Sequence, residues 1–239
     1  MTGNTLTLAS TSFSRSVARV PPPISNLVLW CYLGGSLAQS QNLVGTALTN
    51  IGGGPVYPPP GNYAKLTHAT GALQLAVADV AGSFTLMVVT RTIEPNGYGV
   101  PVSNFITGPN QGVDLAINNT AGINPFVGGG GLVFAPSMPL KLKQGLMSWK
   151  FLALAFQSGV DATLYDMTEG TSQSSTAASS NRVVSAQPWQ LGQNPAGTNA
   201  ATEVDLAFAG IARSYLDSTA MSRAYQSVRE TLALTGMRI

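Results

Sequence analysis

Two carboxylates one residue apart, Glu203 and Asp205 in Glu203-Val204-Asp205, form the most suggestive chemical pair in the chain. Residues i and i+2 of a strand share a face, and glycoside hydrolysis needs two carboxyl groups placed together. The next four positions, Leu206, Ala207, Phe208 and Ala209, carry no acid. The pair therefore reads as structural, with Asp205 expected to hydrogen-bond a neighbouring loop. Cys31 is the single cysteine and His68 the single histidine. Cys31 stands between Trp30 and Tyr32 in an apolar run, where a free cysteine is a small buried hydrophobe. His68 reads as a surface or loop residue, and a triad or a histidine metal cluster would need partners not evident here. Asp114, Asn118 and Asn119 are the best calcium donors, but no dense run of Asp and Asn surrounds them. No catalytic residue, metal or cofactor is expected.

Sugar recognition needs an aromatic platform with amide and carboxylate groups converging on a loop. Asn96, Tyr98 and Asn104, with Asn118 and Asn119, supply such groups and are the candidate carbohydrate-binding residues. The competing reading is that each Asn serves a turn, where it tolerates left-handed backbone.

Charged residues are 9% of the 239, against roughly 25% in ordinary soluble domains. Ser, Thr, Asn, Gln and Gly must cover the surface instead. Such a surface suits a protein packed against others or working outside a cell. Net charge is +2 with no basic run, so phosphate-driven nucleic-acid binding has no electrostatic footprint. No stretch of about 18 apolar residues exists, so no membrane insertion is expected. Residues 1–19 lack the pattern of a secretion signal, which places synthesis in the cytoplasm of the producing cell.

Residues 1–23 read as an extended arm, in which Thr5–Leu8 can form a short strand and Pro21-Pro22-Pro23 stiffens the exit. From residue 24 the chain reads as one sandwich. Leu27–Leu33 is a β-favouring apolar run, and Phe84–Thr92 is apolar on both alternations, as a mid-sheet strand is. Trp149–Phe156 and Val160–Met167, joined by Gln157-Ser158-Gly159, read as a hairpin. Ile51–Gly61 and Thr168–Ser180 read as loops, and Val183-Val184, Trp189–Leu191 and Val204–Phe208 as short strands. Trp30, Phe84, Val88, Trp149 and Leu154 are the expected core. Asp217 is a helix cap, and Met221, Ala224, Tyr225, Val228 and Leu232 recur at helical spacing, so a helix is predicted over 217–236.

The order of these segments resembles the concanavalin A-like superfamily, especially its laminin G-like jelly rolls. Leu29-Trp30-Cys31-Tyr32 is similar to the family's opening strand and Phe84–Val89 to a central one. Trp149–Phe156 with Ala162–Tyr165 matches its Trp-led hairpin, although Asp166-Met167-Thr168-Glu169-Gly170 stands where an Asp-Gly turn is usual. Trp189–Gly192, Val204–Ala212 and the tail Asp217–Ile239 complete the series, the tail resembling tailed-bacteriophage members. The resemblance implies an all-β sandwich of two antiparallel sheets with a C-terminal helix. It also implies a non-enzymatic virion surface protein on tail, fibre or capsid, lectin-like and able to bind host glycans. The arm would contact other virion proteins, and the chain is expected to be a homo-oligomer. The rival readings are a purely structural decoration or tail-assembly subunit and a glycan-degrading enzyme.

Overall fold

The computed structural model describes residues 21–67, 71–91, 98–118, 122–129, 133–134, 148–175, 182–195 and 203–239. His68, Asn96, Asn119 and the arm before Pro21 lie outside them. The strands, in chain order, are β1 (Leu27–Tyr32), β2 (Leu48–Ile51), β3 (Ala64–Leu66), β4 (Ala72–Leu75), β5 (Phe84–Arg91), β6 (Tyr98–Ser103) and β7 (Val113–Asn118). There follow β8 (Gly122–Gly128), β9 (Val133–Phe134), β10 (Lys150–Gln157), β11 (Asp161–Asp166), β12 (Thr171–Ser175), β13 (Trp189–Leu191) and β14 (Val204–Ala212), then helix α1 (Ser218–Ala233). They make two antiparallel sheets. The first runs β1-β14-β5-β10-β11-β12, with β3 also on β14, and the second runs β2-β4-β13-β6-β7-β8-β9.

Alternation along the strands divides the apolar residues between two cores. Leu86 and Val88 of β5, Leu152 and Leu154 of β10, and Val204 and Leu206 of β14 face the second sheet and pack on Leu73, Leu115, Ile117 and Leu191. The intervening residues of the first sheet, Trp30, Met87, Val89, Phe151 and Phe208, face outward and are covered by Met221, Ala224, Val228 and Leu232 of α1. The β strands are therefore apolar on both faces where the helix lies, as the runs at residues 27–33 and 84–90 predict. Burying each large apolar side chain stabilises by about 1.5–3 kcal/mol, so the helix is part of the fold's packing and not an appendage. Asp217 caps it, its Oδ1 accepting from the Ala220 N–H at 2.8 Å. The helix ends three residues before the expected limit, and Gly236, at φ 83°, turns the chain out of it.

Three expectations are corrected, and one strand went unread. Trp149 is half-buried at the rim of the outer cluster and is not core, because it precedes β10 and looks away from the second sheet. The Ser/Thr-rich stretch after Thr168 contains a strand, β12, whose alternation is invisible because nearly every residue in it is polar and exposed. β2 was unmarked because Leu48 and Ile51 enclose the exposed Thr49 and Asn50 with no alternation. Val183-Val184 is not a strand: Arg182 pairs with Asp79 and lies 4.8 Å over the Phe84 ring, and the Ser185 N–H donates to Asp79 Oδ2. Alongside these side-chain anchors, Val183 makes two isolated backbone bonds, donating to the Gly128 carbonyl and accepting from the Gly112 N–H, both at 2.8 Å, without extending into a ladder. Among the described residues, no helix is long and apolar enough to cross a membrane.

Candidate functional site

Two places on the sandwich bring polar and aromatic residues together through strand register. The first is the end of the β6–β7 pair. The register sets Tyr98 opposite Asn118 and Gly99 opposite Ile117, then shifts, so that Val102 meets Leu115 and Ser103 meets Asp114. Two of the five residues expected to contact sugar, Tyr98 and Asn118, are thus cross-strand partners. Asn104 is placed apart from them, beyond the other end of β6. It is fully buried, and its Oδ1 accepts from the Val113 N–H at 2.7 Å. That approach requires Gly112: at its φ of 84°, a Cβ would lie 2.6 Å from the Asn104 carbonyl oxygen and 2.8 Å from Ser185 Cβ. Asn104 therefore braces the start of β7.

Asp114 and Asn118 lie four residues apart on one strand, a separation of about 13 Å, too far for one calcium ion. Asp114 is 1% exposed, and burial pushes its carboxyl well above the usual range. Its Oδ1 has no partner among the described residues. Burial therefore disfavours the ionised form of this carboxyl, whereas calcium takes ionised oxygen ligands. Among the described residues, no group of three or more His, Cys, Asp and Glu could hold a metal.

The second place is the outer face of the first sheet, beyond the part that α1 covers. Asp205 is paired in register with Lys65 of β3 on one side and with Arg91 of β5 on the other. Lys150 pairs with Thr90, so Trp149 falls beside Arg91. Lys65, Asp205, Arg91 and Trp149 thus form a row across β3, β14, β5 and the start of β10. Arg91 Nε donates to Asp205 Oδ2 at 2.8 Å. The guanidinium carbon is 4.6 Å from the Trp149 ring centroid and 5.1 Å from that of Tyr63. The two rings meet edge to face at 5.3 Å. Lys65 pairs with Glu203, and this bond holds its ammonium above its usual range. Burial pushes the Asp205 carboxyl up against the opposing pull of Arg91 and Lys65.

Glu203 and Asp205 do share a face, as their spacing requires. Asp205, however, is held by the neighbouring strand and not by a loop. Each carboxylate has a cation as partner, and neither stands opposite a second free acid among the described residues. The arrangement neutralises charge and presents two half-buried rings.

No family profile and no curated protein matches the chain. Solved structures do. The receptor binding domain of botulinum neurotoxin D matches with a TM-score of 0.64 and 13% identity over 85% of this chain and 53% of that one. The binding domain of botulinum neurotoxin DC in complex with SialylT matches with a TM-score of 0.65 and 11% identity, over 85% and 52%. The receptor binding domain of the mosaic serotype C/D matches with a TM-score of 0.64 and 14% identity, over 84% and 50%. The chain is similar to these domains in fold. It spans about half the length of each, so the likeness is to a β-sandwich part of them.

The outer-face row escaped the sequence reading, which weighed Glu203 and Asp205 without their partners. A signal for it was present. In Tyr63-Ala64-Lys65-Leu66 the small and apolar residues alternate with Tyr and Lys, as in Glu203-Val204-Asp205-Leu206, so each segment has one polar face. Only the pairing of β3, β14 and β5 shows that these faces coincide.

Proposed function

We propose that the chain is a non-enzymatic, lectin-like binding module of the concanavalin A-like, laminin G-like kind, displayed on a bacteriophage virion and contacting host surface glycans. The observation that carries this reading is the pairing of Tyr98 with Asn118 at one end of the second sheet, on a sandwich similar in fold to receptor-binding domains. Asn96 and Asn119 flank the same two strands in sequence and lie outside the described residues. Asn104 belongs to the framework. The absence of turnover is part of the proposal: with Lys65 on Glu203 and Arg91 on Asp205, neither carboxylate is poised to protonate a leaving group or attack a sugar. The virion setting rests on the resemblance of the tail and on a chain in which only 9% of residues are charged. The same low charge favours the second reading, a structural subunit that touches only other virion proteins.

A glycan array probed with the purified full chain separates the two. Binding to a defined set of host polysaccharides, weakened in Tyr98→Ala and Asn118→Ala, supports the module. An array without binding leaves the structural reading. Release of reducing ends from a bound polysaccharide, lost in Glu203→Gln, overturns the non-enzymatic assignment.

A further inference from the structure

We infer that the outer-face row of the first sheet is a second binding site, distinct from the Tyr98–Asn118 end and built for an uncharged, hydroxyl-rich ligand such as a neutral hexose unit. Three observations converge on it.

The first is an unsatisfied acceptor. Asp205 is 1% exposed, and only its Oδ2 is used, by Arg91. Its Oδ1 has no hydrogen-bond partner; Lys65 Nζ stands 3.9 Å away, beyond hydrogen-bond reach. A buried carboxylate oxygen left without a donor is costly, and a hydroxyl group is the kind of donor it lacks. Asp205 faces outward because Val204 and Leu206 on either side of it are committed to the inter-sheet core.

The second is the ring pair. Tyr63 and Trp149 are both half-buried at the rim of the outer apolar cluster, and Arg91 fixes them by stacking against both. The apolar floor continues from Trp149 to Phe151, whose ring meets Tyr225 of α1 edge to face at 5.4 Å. A pyranose offers an apolar C–H face to such rings and hydroxyls around its edge.

The third is charge balance, which selects among ligand classes. Lys65 and Arg91 are matched one for one by Glu203 and Asp205, so the row has no net charge. An anionic sugar would meet Asp205 at close range with no surplus cation to hold it. A cationic ligand would meet Lys65 and Arg91. A metal ion would need several free oxygens and would face two cations. A neutral polyol uses all four groups: it donates to Asp205 and Glu203 and accepts from Lys65 and Arg91.

The test is titration of the full chain with a neutral disaccharide (lactose and maltose in separate runs) and with sialyllactose, read by tryptophan fluorescence. Trp30 is fully buried and Trp189 is 3% exposed, so the signal reports on Trp149. A neutral sugar is expected to shift the emission at millimolar concentration, with Trp149→Phe silencing the signal. Calorimetry is expected to show about a tenfold weaker affinity for Trp149→Ala, the loss of one aromatic contact, and a comparable loss for Glu203→Gln. Circular dichroism of each variant verifies the fold, and Val160→Ala, at an exposed position in the turn between β10 and β11, is expected to leave this affinity unchanged. The site is overturned if no neutral sugar binds, or if binding survives Trp149→Ala undiminished. It is reassigned to the second sheet if Asn118→Ala abolishes the signal, and the neutral class is overturned if sialyllactose binds as well as lactose.

Discussion

Arg91 and Asp205 face each other across β5 and β14, joined by one hydrogen bond of 2.8 Å, and the pair is far more buried on the acid's side than on the cation's. Asp205 has 1% of its side chain open to water and Arg91 has 27%. Removing Arg91 would strand a buried carboxylate, with only Lys65 near it. Arg91→Ala should therefore cost about 3 kcal/mol, the low end for a broken buried pair, because Arg91 itself is partly solvated. Arg91→Lys keeps the charge but loses the planar stack on Tyr63 and Trp149, and should fall between. Urea unfolding measures both. A loss in Arg91→Ala no larger than that of an ordinary surface substitution would show that the pair is not anchoring the row.

The two tryptophans of the first sheet should behave differently. Trp30 is fully buried and meets Phe208 edge-on at 4.7 Å, under α1. Trp30→Ala should cost about 3–5 kcal/mol, as large aromatic truncations in cores do. Trp149→Ala, at the rim, should cost less than half of that. Equal losses in chemical denaturation would mean that Trp149 belongs to the core after all.

Asp114 gives a pH dependence of unusual sign. Its carboxyl titrates above the ordinary range because burial disfavours the charged form. A group whose folded value is raised contributes its full stability below the unfolded value and loses it as pH climbs through the folded one. Asp114→Asn removes that loss. The variant should melt at the same temperature as the parent near pH 4, roughly the unfolded carboxylate value. At pH 7 and above, it should melt at a higher temperature than the parent. Thermal scans across this range decide it; a difference that is constant with pH contradicts the raised titration of Asp114.

The fold was legible where alternation and bulk agreed. Phe84–Arg91 and Lys150–Gln157 announce themselves as buried strands because both of their faces are apolar, and Asp217 announces a helix start because its side chain can cap Ala220. β12 was not legible: in Thr171–Ser175 no residue differs enough in polarity from its neighbours to mark a face. The binding candidates were legible only in part. Tyr98 and Asn118 are twenty positions apart, and only the β6–β7 register makes them partners. Asn104 has the same side chain as Asn118, but the close approach at Gly112 commits it to the backbone. Trp149 misled because an aromatic at the head of an apolar strand has the composition of a core residue, while its parity in that strand points it outward.

The helix cap is open to a direct measurement. Asp217 is exposed and accepts from the Ala220 N–H, one of the donors left without a partner in the first turn of a helix. Asp217→Ala should cost about 1 kcal/mol. Because α1 covers Trp30, Met87 and Phe208, the loss should appear in the global unfolding transition and not as a separate early phase. A biphasic transition would show that the helix unfolds independently of the sandwich.

The arm is expected to serve assembly and not the stability of the sandwich. The first strand begins at Leu27, paired with Ala212, and the Arg213 N–H donates to the Asn26 carbonyl at 2.9 Å, so the sheet is anchored from Asn26 onward. Among the described residues, both apolar clusters are built without anything before Ile24. Residues 1–20 are rich in Ser and Thr and bring too little apolar surface to offset the entropy of ordering them alone. Docked on a neighbouring chain they could contribute, for instance by adding Thr5–Leu8 as a strand to a sheet edge. Deletion of residues 1–20 should leave the melting temperature of the sandwich nearly unchanged while reducing oligomer formation, measured by light scattering, or incorporation into particles. Unfolding of the truncated chain would show the arm to be part of the domain, and undiminished assembly would show that it has no such role.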